Sequence, residues 1–114
     1  MPDCLFCKIA SGEIPSEIVY QDDQVIVFKD IKPAAPVHLL VIPNIHIPSV
    51  AAMEESDIDL FGRLFLAARK AAQQAGIDES GYRLIVNNGP DAHQEVFHVH
   101  MHILGGGEMQ HPMG

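Results

Sequence analysis

The 114-residue chain lacks features that would assign it to several large protein classes. It contains no run of about 20 apolar residues, the length that a helix needs to cross a bilayer. No basic segment precedes an apolar stretch, as it would in a secretory signal, so we expect a cytoplasmic protein. With 47% hydrophobic residues, the composition is typical of a compact protein, and the length predicts one domain over residues 1–114.

Positive charge is also scarce. Seven Lys and Arg residues stand against 15 acidic residues, which gives a net charge of −8. Because clustered Lys and Arg supply most of the affinity for a nucleic-acid backbone, we expect neither a nucleic acid nor a membrane as partner. No Lys or Arg follows Arg83, whereas five of the seven histidines do. A phosphate-bearing substrate would therefore be held by backbone N–H groups, amide side chains and histidines.

The apolar pattern predicts strands and helices in an α+β order. A short helix is expected over residues 4–10 with Asp3 as its N-cap, and a long helix from a capping box at residues 56–59 to about residue 75. Turn residues between the first two strands predict a hairpin. The expected strands cover residues 18–20, 25–28, 38–42, 82–87 and 97–104.

The long helix carries an apolar stripe that is wider than contact with one sheet requires. It includes Ile58, Phe61 and Phe65 beside leucines and alanines. The helix is either buried within its own domain, or it packs on the sheet with one side and on a second subunit with the other. Since so short a chain has little material to bury the helix fully, the stripe favours a homodimer.

Three histidines alternate with apolar residues before a run of three glycines, residues 105–107. Alternation with a period of two is typical of a half-buried strand. The side chains that we expect in the core are Phe97, Val99, Met101 and Ile103. The histidines expected in a row on the opposite face are His98, His100 and His102. One such histidine would indicate only a polar surface, but three indicate a site.

Two chemistries suit this row of imidazoles. In the first, histidines bind a catalytic zinc ion, with a third ligand from another strand such as His38, because three consecutive rings fit poorly around a tetrahedron. In the second, the middle imidazole, His100, attacks phosphorus, while amides of Asn87 and Gln94 in the preceding loop surround a phosphate. Neither a dinucleotide fingerprint nor a Walker loop suggests other chemistry.

The segment His-Val-His-Met-His-Ile-Leu, residues 98–104, matches the signature of the histidine triad (HIT) superfamily, in which histidines alternate with apolar residues. Further motifs occur in the order found in that family. The chain resembles, over nearly its whole length, the branch of histidine triad nucleotide-binding proteins. These motifs lie at residues 6–9, 12–16, 30–31, 35–38, 40–43, 81–83 and 105–106.

The resemblance implies an α+β fold with a five-stranded antiparallel sheet, one long and one short helix, and a homodimer. It also implies hydrolysis of the P–N bond in phosphoramidates of AMP or GMP, through a nucleotidyl-histidine and without a catalytic cofactor. By position, His100 is the nucleophile, His38 and His98 support it, and His102 lies at the phosphate.

The resemblance further assigns residues to the nucleotide. Asp30 would accept hydrogen bonds from the ribose hydroxyls, and Ile31 and Phe28 would line the base pocket. Asn87 and Gln94 would contact the phosphate or its surroundings.

Three features depart from the family pattern. Glu95, which we include in the expected nucleotide site, stands where relatives often carry a Ser or Thr hydroxyl that helps the leaving group. A carboxyl group donates a proton only if its pKa is raised. His93 occupies a position where glycine is common, and the tail from residue 107 to 114 lacks the tryptophan of some relatives.

Cys4 and Cys7 form a C-x-x-C pair, for which three interpretations are open. They could be a redox pair, two small apolar residues in a helix, or half of a structural zinc site. Some HIT relatives bind zinc with two cysteines and two histidines, and the matching histidines here are His46 and His98.

Two other functions compete with phosphoramidate hydrolysis. One is a nucleotide-binding adaptor whose catalysis is incidental. The other is a hydrolase with a zinc ion at the histidine triad.

Overall fold

The structure, a computed structural model, describes residues 3–112, which form one sheet and two α-helices. The predicted α+β class, with one long helix, one short helix and an antiparallel sheet, is confirmed. Single 3-10 turns cover Val50–Ala52, Glu55–Asp57 and Pro90–Ala92. Helices α1 and α2 span Leu5–Ala10 and Ile58–Gln74, and strands β1 to β5 span Ile18–Gln21, Val25–Lys29, Val37–Pro43, Tyr82–Ile85 and Met101–Gly105.

The five strands are antiparallel and lie in the order β1-β2-β3-β5-β4. This order places β3 directly beside β5. Within that pair, His38 lies opposite Leu104, and Leu40 lies opposite His102. Because side chains of paired residues point to the same face of a sheet, His38 and His102 are diagonal neighbours on one face.

The two faces of the sheet bury separate apolar clusters. On the face opposite the histidines, Leu39, Val41 and Ile103 pack with the buried side of α2 in the larger cluster. Helix α1 covers part of the other face. The smaller cluster there comprises Phe6, Ile9, Ile26, Phe28, Leu40 and Ile42.

Helix α2 contacts the sheet through small side chains. Its buried residues are Leu60, Leu64, Ala67, Ala68, Ala71 and Ala72. The alanines let the helix backbone lie close to the strands. On the outer side of the helix, Ile58, Phe65 and Leu66 are exposed in the single chain, so the apolar stripe is only partly used within it. Neither helix in residues 3–112 has the length and apolar content to cross a membrane.

The helix starts differ from the prediction. Cys4, rather than Asp3, is the N-cap of α1, and its thiol accepts a hydrogen bond from the Cys7 N–H at 3.4 Å. The capping box at residues 56–59 was also predicted wrongly. Glu54 and Asp57 form it, with the Asp57 carboxylate 2.9 Å from the Glu54 N–H, around the 3-10 turn that precedes α2.

The histidine-bearing strand is shorter than predicted. It begins at Met101, so His98 and His100 precede it, and Phe97 is 54% exposed instead of buried. The reason is that this segment leaves the sheet ladder. Val99 N–H bonds to the Ile47 carbonyl at 2.6 Å, and this pulls the chain toward the segment after β3.

The close contact between α2 and the sheet predicts how the helix responds to a larger side chain. Ala68→Leu should lower the free energy of unfolding by about 1–3 kcal/mol, because Ala68 is fully buried and added methylenes overpack the interface. Urea denaturation followed by circular dichroism measures the change. Gln74→Leu, exposed at the end of the same helix, is the matched control. Equal effects of the two substitutions would contradict close packing at Ala68.

Candidate active site

A cavity of about 510 Å³ opens on the histidine-bearing face of the sheet. Part of its wall is apolar and comes from α1, β2 and β3. Phe6, Phe28 and Leu40 are examples of these residues. Another part is polar, with Asn87, His93, Glu95, His100 and His102 in the wall. One cavity thus offers an apolar surface beside three imidazoles.

His100 has one ring nitrogen committed to the backbone. Its Nδ1 lies 2.8 Å from the carbonyl oxygen of His98, and a carbonyl oxygen can only accept. Nδ1 therefore carries the proton in the neutral ring, and Nε2 has the lone pair. Phe6 meets the ring edge-on at a centroid distance of 5.1 Å and limits its rotation. This arrangement leaves a lone pair on Nε2, which is what a nucleophile requires.

His38 and His102 form a second pair next to the cavity. His38 Nε2 lies 2.9 Å from His102 Nδ1, and His38 Nδ1 accepts a hydrogen bond from the Ala34 N–H at 2.9 Å. Asp30 Oδ2 is more distant, at 3.5 Å from His38 Nε2. The rings of His100 and His102 are 5.1 Å apart, so the pair adjoins His100.

Burial keeps these rings neutral near pH 7. It lowers the pKa of His38 and of His100, although the negative charge of Asp30 acts in the opposite direction on both. It also lowers the pKa of His102 to about 4, with repulsion from His100 and His38 adding to the effect. Neutral imidazoles have one lone pair each, which a nucleophile needs.

Residues expected at the ribose and base lie along the cavity. Asp30 lines it, and its Oδ1 accepts a hydrogen bond from the Lys32 N–H at 2.7 Å. Phe28 is buried in the apolar wall and meets Phe6 edge-on at 5.6 Å. Ile31 is 91% exposed at the cavity, so its apolar side chain is open to contact with a ligand.

The loop after β4 contributes side chains in two ways. Asn87 and Glu95 line the cavity. Gln94 is buried and outside the cavity wall, where its amide accepts from the Gly89 N–H at 2.8 Å and donates to the Pro48 carbonyl at 2.8 Å. Gln94 therefore fixes the shape of the loop, and a direct contact with phosphate stays a prediction.

His93 in the same loop has a left-handed backbone with φ of 60°. Glycine adopts this conformation without steric cost, whereas histidine does not. The loop hydrogen bonds hold it there, and its side chain lines the cavity beside Glu95. The cost is consistent with a constrained loop at a functional site.

His98 does not share the row expected for the triad. Its Nε2 donates to the Pro43 carbonyl at 2.8 Å, and its Nδ1 lies 3.4 Å from Cys4 Sγ and 3.5 Å from Cys7 Sγ. The ring is completely buried. The three triad rings thus do not converge on one point, which argues against an ion held by the triad alone.

Cys4, Cys7, His46 and His98 bring four metal-binding atoms together. Cys7 Sγ lies 3.4 Å from His46 Nδ1. A tetrahedral zinc ion with Zn–S of about 2.3 Å and Zn–N of about 2.0 Å holds sulfur and nitrogen roughly 3.5 Å apart. The observed distances fit this value, and the Pro43 carbonyl orients the His98 ring as an outer partner does in zinc sites.

Two contributions to the site are not evident from the sequence patterns above. One is helix α1, which was predicted as a helix but not as a cavity wall that includes Leu5, Phe6 and Ile9. Its apolar residues near the N-terminus were the available signal. The other is the backbone N–H of Ala34, for which side-chain patterns carry no signal.

Comparison with known proteins gives consistent relatives. The chain is 52% identical over 104 residues to a purine nucleoside phosphoramidase of Escherichia coli strain K12, across 91% of this chain and 87% of the relative. It is 46% identical over 114 residues to a 14 kDa zinc-binding protein of Brassica juncea, across 98% of this chain and 100% of the relative.

Solved structures agree. A HIT family hydrolase from Legionella pneumophila Philadelphia 1 superposes with a TM-score of 0.94 at 46% identity, covering 98% of this chain and all of that one. The HIT domain family model matches residues 11–109. The resemblance inferred from the triad and its accompanying motifs is therefore confirmed, and the chain belongs to the HIT domain family.

Proposed function

We propose that this protein is a hydrolase that cleaves the P–N bond of purine nucleoside phosphoramidates. The observation that carries the proposal is the His100 ring, whose Nδ1–H is bound to the His98 carbonyl while the ring lines a nucleotide-sized cavity. The 52% identity to a purine nucleoside phosphoramidase supports the substrate class.

The reaction proceeds in two displacements. His100 Nε2 attacks phosphorus, the P–N bond breaks, and the electron pair leaves with the amine, which takes up a proton. Water then attacks the nucleotidyl-histidine, the P–Nε2 bond breaks, and its electron pair returns to His100. One proton is released, and the nucleoside monophosphate leaves. Neither step needs a redox cofactor.

The nucleotide, AMP or GMP, binds along the cavity. Its purine contacts the apolar wall at Phe28 and Ile31, and the Asp30 carboxylate accepts from the ribose hydroxyls. This places the phosphate at His100 and His102. Neutral imidazoles meet its charge there, and Lys29 and Lys32 also line the cavity.

The departing amine lies at the polar end of the cavity. With the apolar wall taken by the purine, the side chains of Asn87, His93 and Glu95 are left to contact it. Glu95 replaces the hydroxyl group expected from the family pattern, so we propose that its carboxylate accepts from the N–H groups of the amine.

Cys4, Cys7, His46 and His98 bind a structural zinc ion in this proposal. The ion would join α1 to the segment that precedes β5. His98 serves both sites, because its ring is a zinc ligand and its carbonyl holds His100. The relative named as a zinc-binding protein supports this assignment.

The protein acts as a homodimer through the outer side of α2. Ile58, Phe65 and Leu66 are 67%, 55% and 42% exposed on one helix, and a second subunit would bury them. A two-fold axis lets the same patch serve both subunits.

The nucleophile is tested by His100→Ala. We expect kcat/KM for adenosine 5′-monophosphoramidate to fall by about 1,000-fold or more, because the bond-forming nitrogen is lost. Wild-type protein quenched during turnover should carry an AMP adduct on His100 in peptide mass spectrometry. His111→Ala, which changes an exposed imidazole in the tail, should keep activity. Unchanged turnover in His100→Ala, or an adduct on another residue, would refute the mechanism.

Zinc is tested by metal analysis of purified protein. We expect about one zinc ion per chain, lost in Cys4→Ala because a tetrahedral site needs all four ligands. His100→Ala should retain the metal, since its ring is not a ligand. Loss of zinc in His100→Ala with retention in Cys4→Ala would place the ion at the triad and contradict the assignment.

The dimer is tested by light scattering during size exclusion. Wild-type protein should have twice the mass of the 12.5 kDa chain, and Phe65→Glu should shift it to the monomer, because a buried unpaired carboxylate is costly. Gln74→Glu adds the same charge at the helix end and should stay dimeric. A monomeric wild type, or a dimeric Phe65→Glu protein, would contradict this interface.

A further inference from the structure

We propose that the backbone N–H of Ala34 is a positioning group of the active site, which fixes the ring protons of His38 and, through it, of His102. The inference deepens the proposed function, since its catalytic meaning rests on phosphoryl transfer at His100. Its geometry is independent of the reaction. It assigns His102 as a fixed hydrogen-bond donor to the phosphoryl group and excludes it as the acid for the amine.

The first step is the hydrogen bond between the loop and His38. Ala34 N lies 2.9 Å from His38 Nδ1. A backbone amide can only donate, so Nδ1 must accept with its lone pair. A neutral imidazole has one N–H, and it must then be on Nε2. The imidazolium form is excluded as well, because it would place a second proton on Nδ1 against the amide.

The second step shows that the proton on His38 Nε2 determines which nitrogen of His102 carries a proton. The His38 Nε2–H has an acceptor in His102 Nδ1 at 2.9 Å, whereas Asp30 Oδ2 is 3.5 Å away. Hydrogen bonds weaken at the longer distance. His102 Nδ1 is therefore an acceptor, and the single proton of that neutral ring is on Nε2. The burial that lowers the pKa of both rings supports their neutral state.

The third step concerns what His102 can do. If its Nε2 proton moved to the leaving amine, Nδ1 would need the proton of His38. His38 would then be an anionic imidazolate that still accepts from Ala34, in a buried site. His102 therefore keeps its proton and stabilises charge on the phosphoryl oxygens. The proton that the amine takes up comes from solvent.

The proton on His38 Nε2 also bears on a nearby cluster that resembles a metal site. Ligand atoms of Asp30, His38 and His102 lie within 4.8 Å of one another. A metal ion there would need the lone pair of His38 Nε2, where the amide of Ala34 requires a proton. The loop therefore disfavours an ion beside the nucleophile.

The experiment replaces Ala34 with lactic acid, so that an ester removes the N–H and keeps the side chain. Nitrogen-15 NMR of labelled histidines reads the protonated nitrogen of each ring. In wild-type protein at pH 7 we expect Nε2–H for both His38 and His102. In the ester protein we expect His38 to populate the Nδ1–H form. We also expect kcat/KM to fall by about tenfold. This is less than the loss of about 100-fold or more that follows removal of a donor to the transition state, because the His102 ring itself is still present.

Two further proteins keep the result interpretable. An ester at Ala35, whose N–H makes no hydrogen bond within the described residues, controls for the backbone change. Ala34→Pro also removes the N–H and covers the case in which the ester protein does not fold. Ala35 ester protein should retain the wild-type tautomers and activity.

The outcomes separate this inference from the proposed function. An Nδ1–H tautomer of His38 in wild-type protein, or unchanged tautomers without the Ala34 N–H, would overturn the inference whatever the activity. Absence of phosphoramidate hydrolysis by wild-type protein would overturn the proposed function, while the NMR result would still test the role of Ala34. Equal losses of activity in the Ala34 and Ala35 esters would reduce the effect to loop stability and overturn the positioning role.

Discussion

The hydrogen bond from His100 Nδ1 to the His98 carbonyl is the interaction on which the site depends. It sets the tautomer of the proposed nucleophile, and it lies in the segment before β5, outside the strand. The His98 ring is in turn held by the Pro43 carbonyl and lies beside the two cysteines. One residue thus links the Cys/His cluster, the end of β3 and the His100 ring, so a shift in the cluster would move the proposed nucleophile.

The two faces of the sheet have different roles, since one supports the larger apolar core and the other carries the site. The α2 face is apolar, with alanines that bring the helix close, and it contains the larger cluster. The other face has the smaller cluster under α1, and that helix doubles as a cavity wall. The pairing of β3 with β5 then brings His38 to His102, although 64 positions separate them in the chain. Long-range pairing, rather than local sequence, completes the histidine group.

Sequence periodicity predicted the strands, both helices and the importance of the histidines, because alternation reports which side chains are buried. It failed at Phe97, where the alternation continues beyond the sheet ladder and the chain follows a bond to Ile47 instead. It also treated three histidines as equivalent. Their roles depend on the group that each ring meets. His98 meets the Pro43 carbonyl and His102 meets the His38 ring, both distant along the chain, whereas His100 meets the nearby His98 carbonyl.

The neutral state of the buried rings has a consequence for catalysis. In the proposed mechanism, His100 is neutral before reaction, and bond formation at Nε2 with a proton on Nδ1 gives its ring a positive charge. The His98 carbonyl at 2.8 Å and the charge of Asp30 both favour that cation, while burial opposes it in the resting ring. These contacts therefore strengthen as the P–N bond breaks, which is the condition for lowering a barrier rather than merely binding substrate.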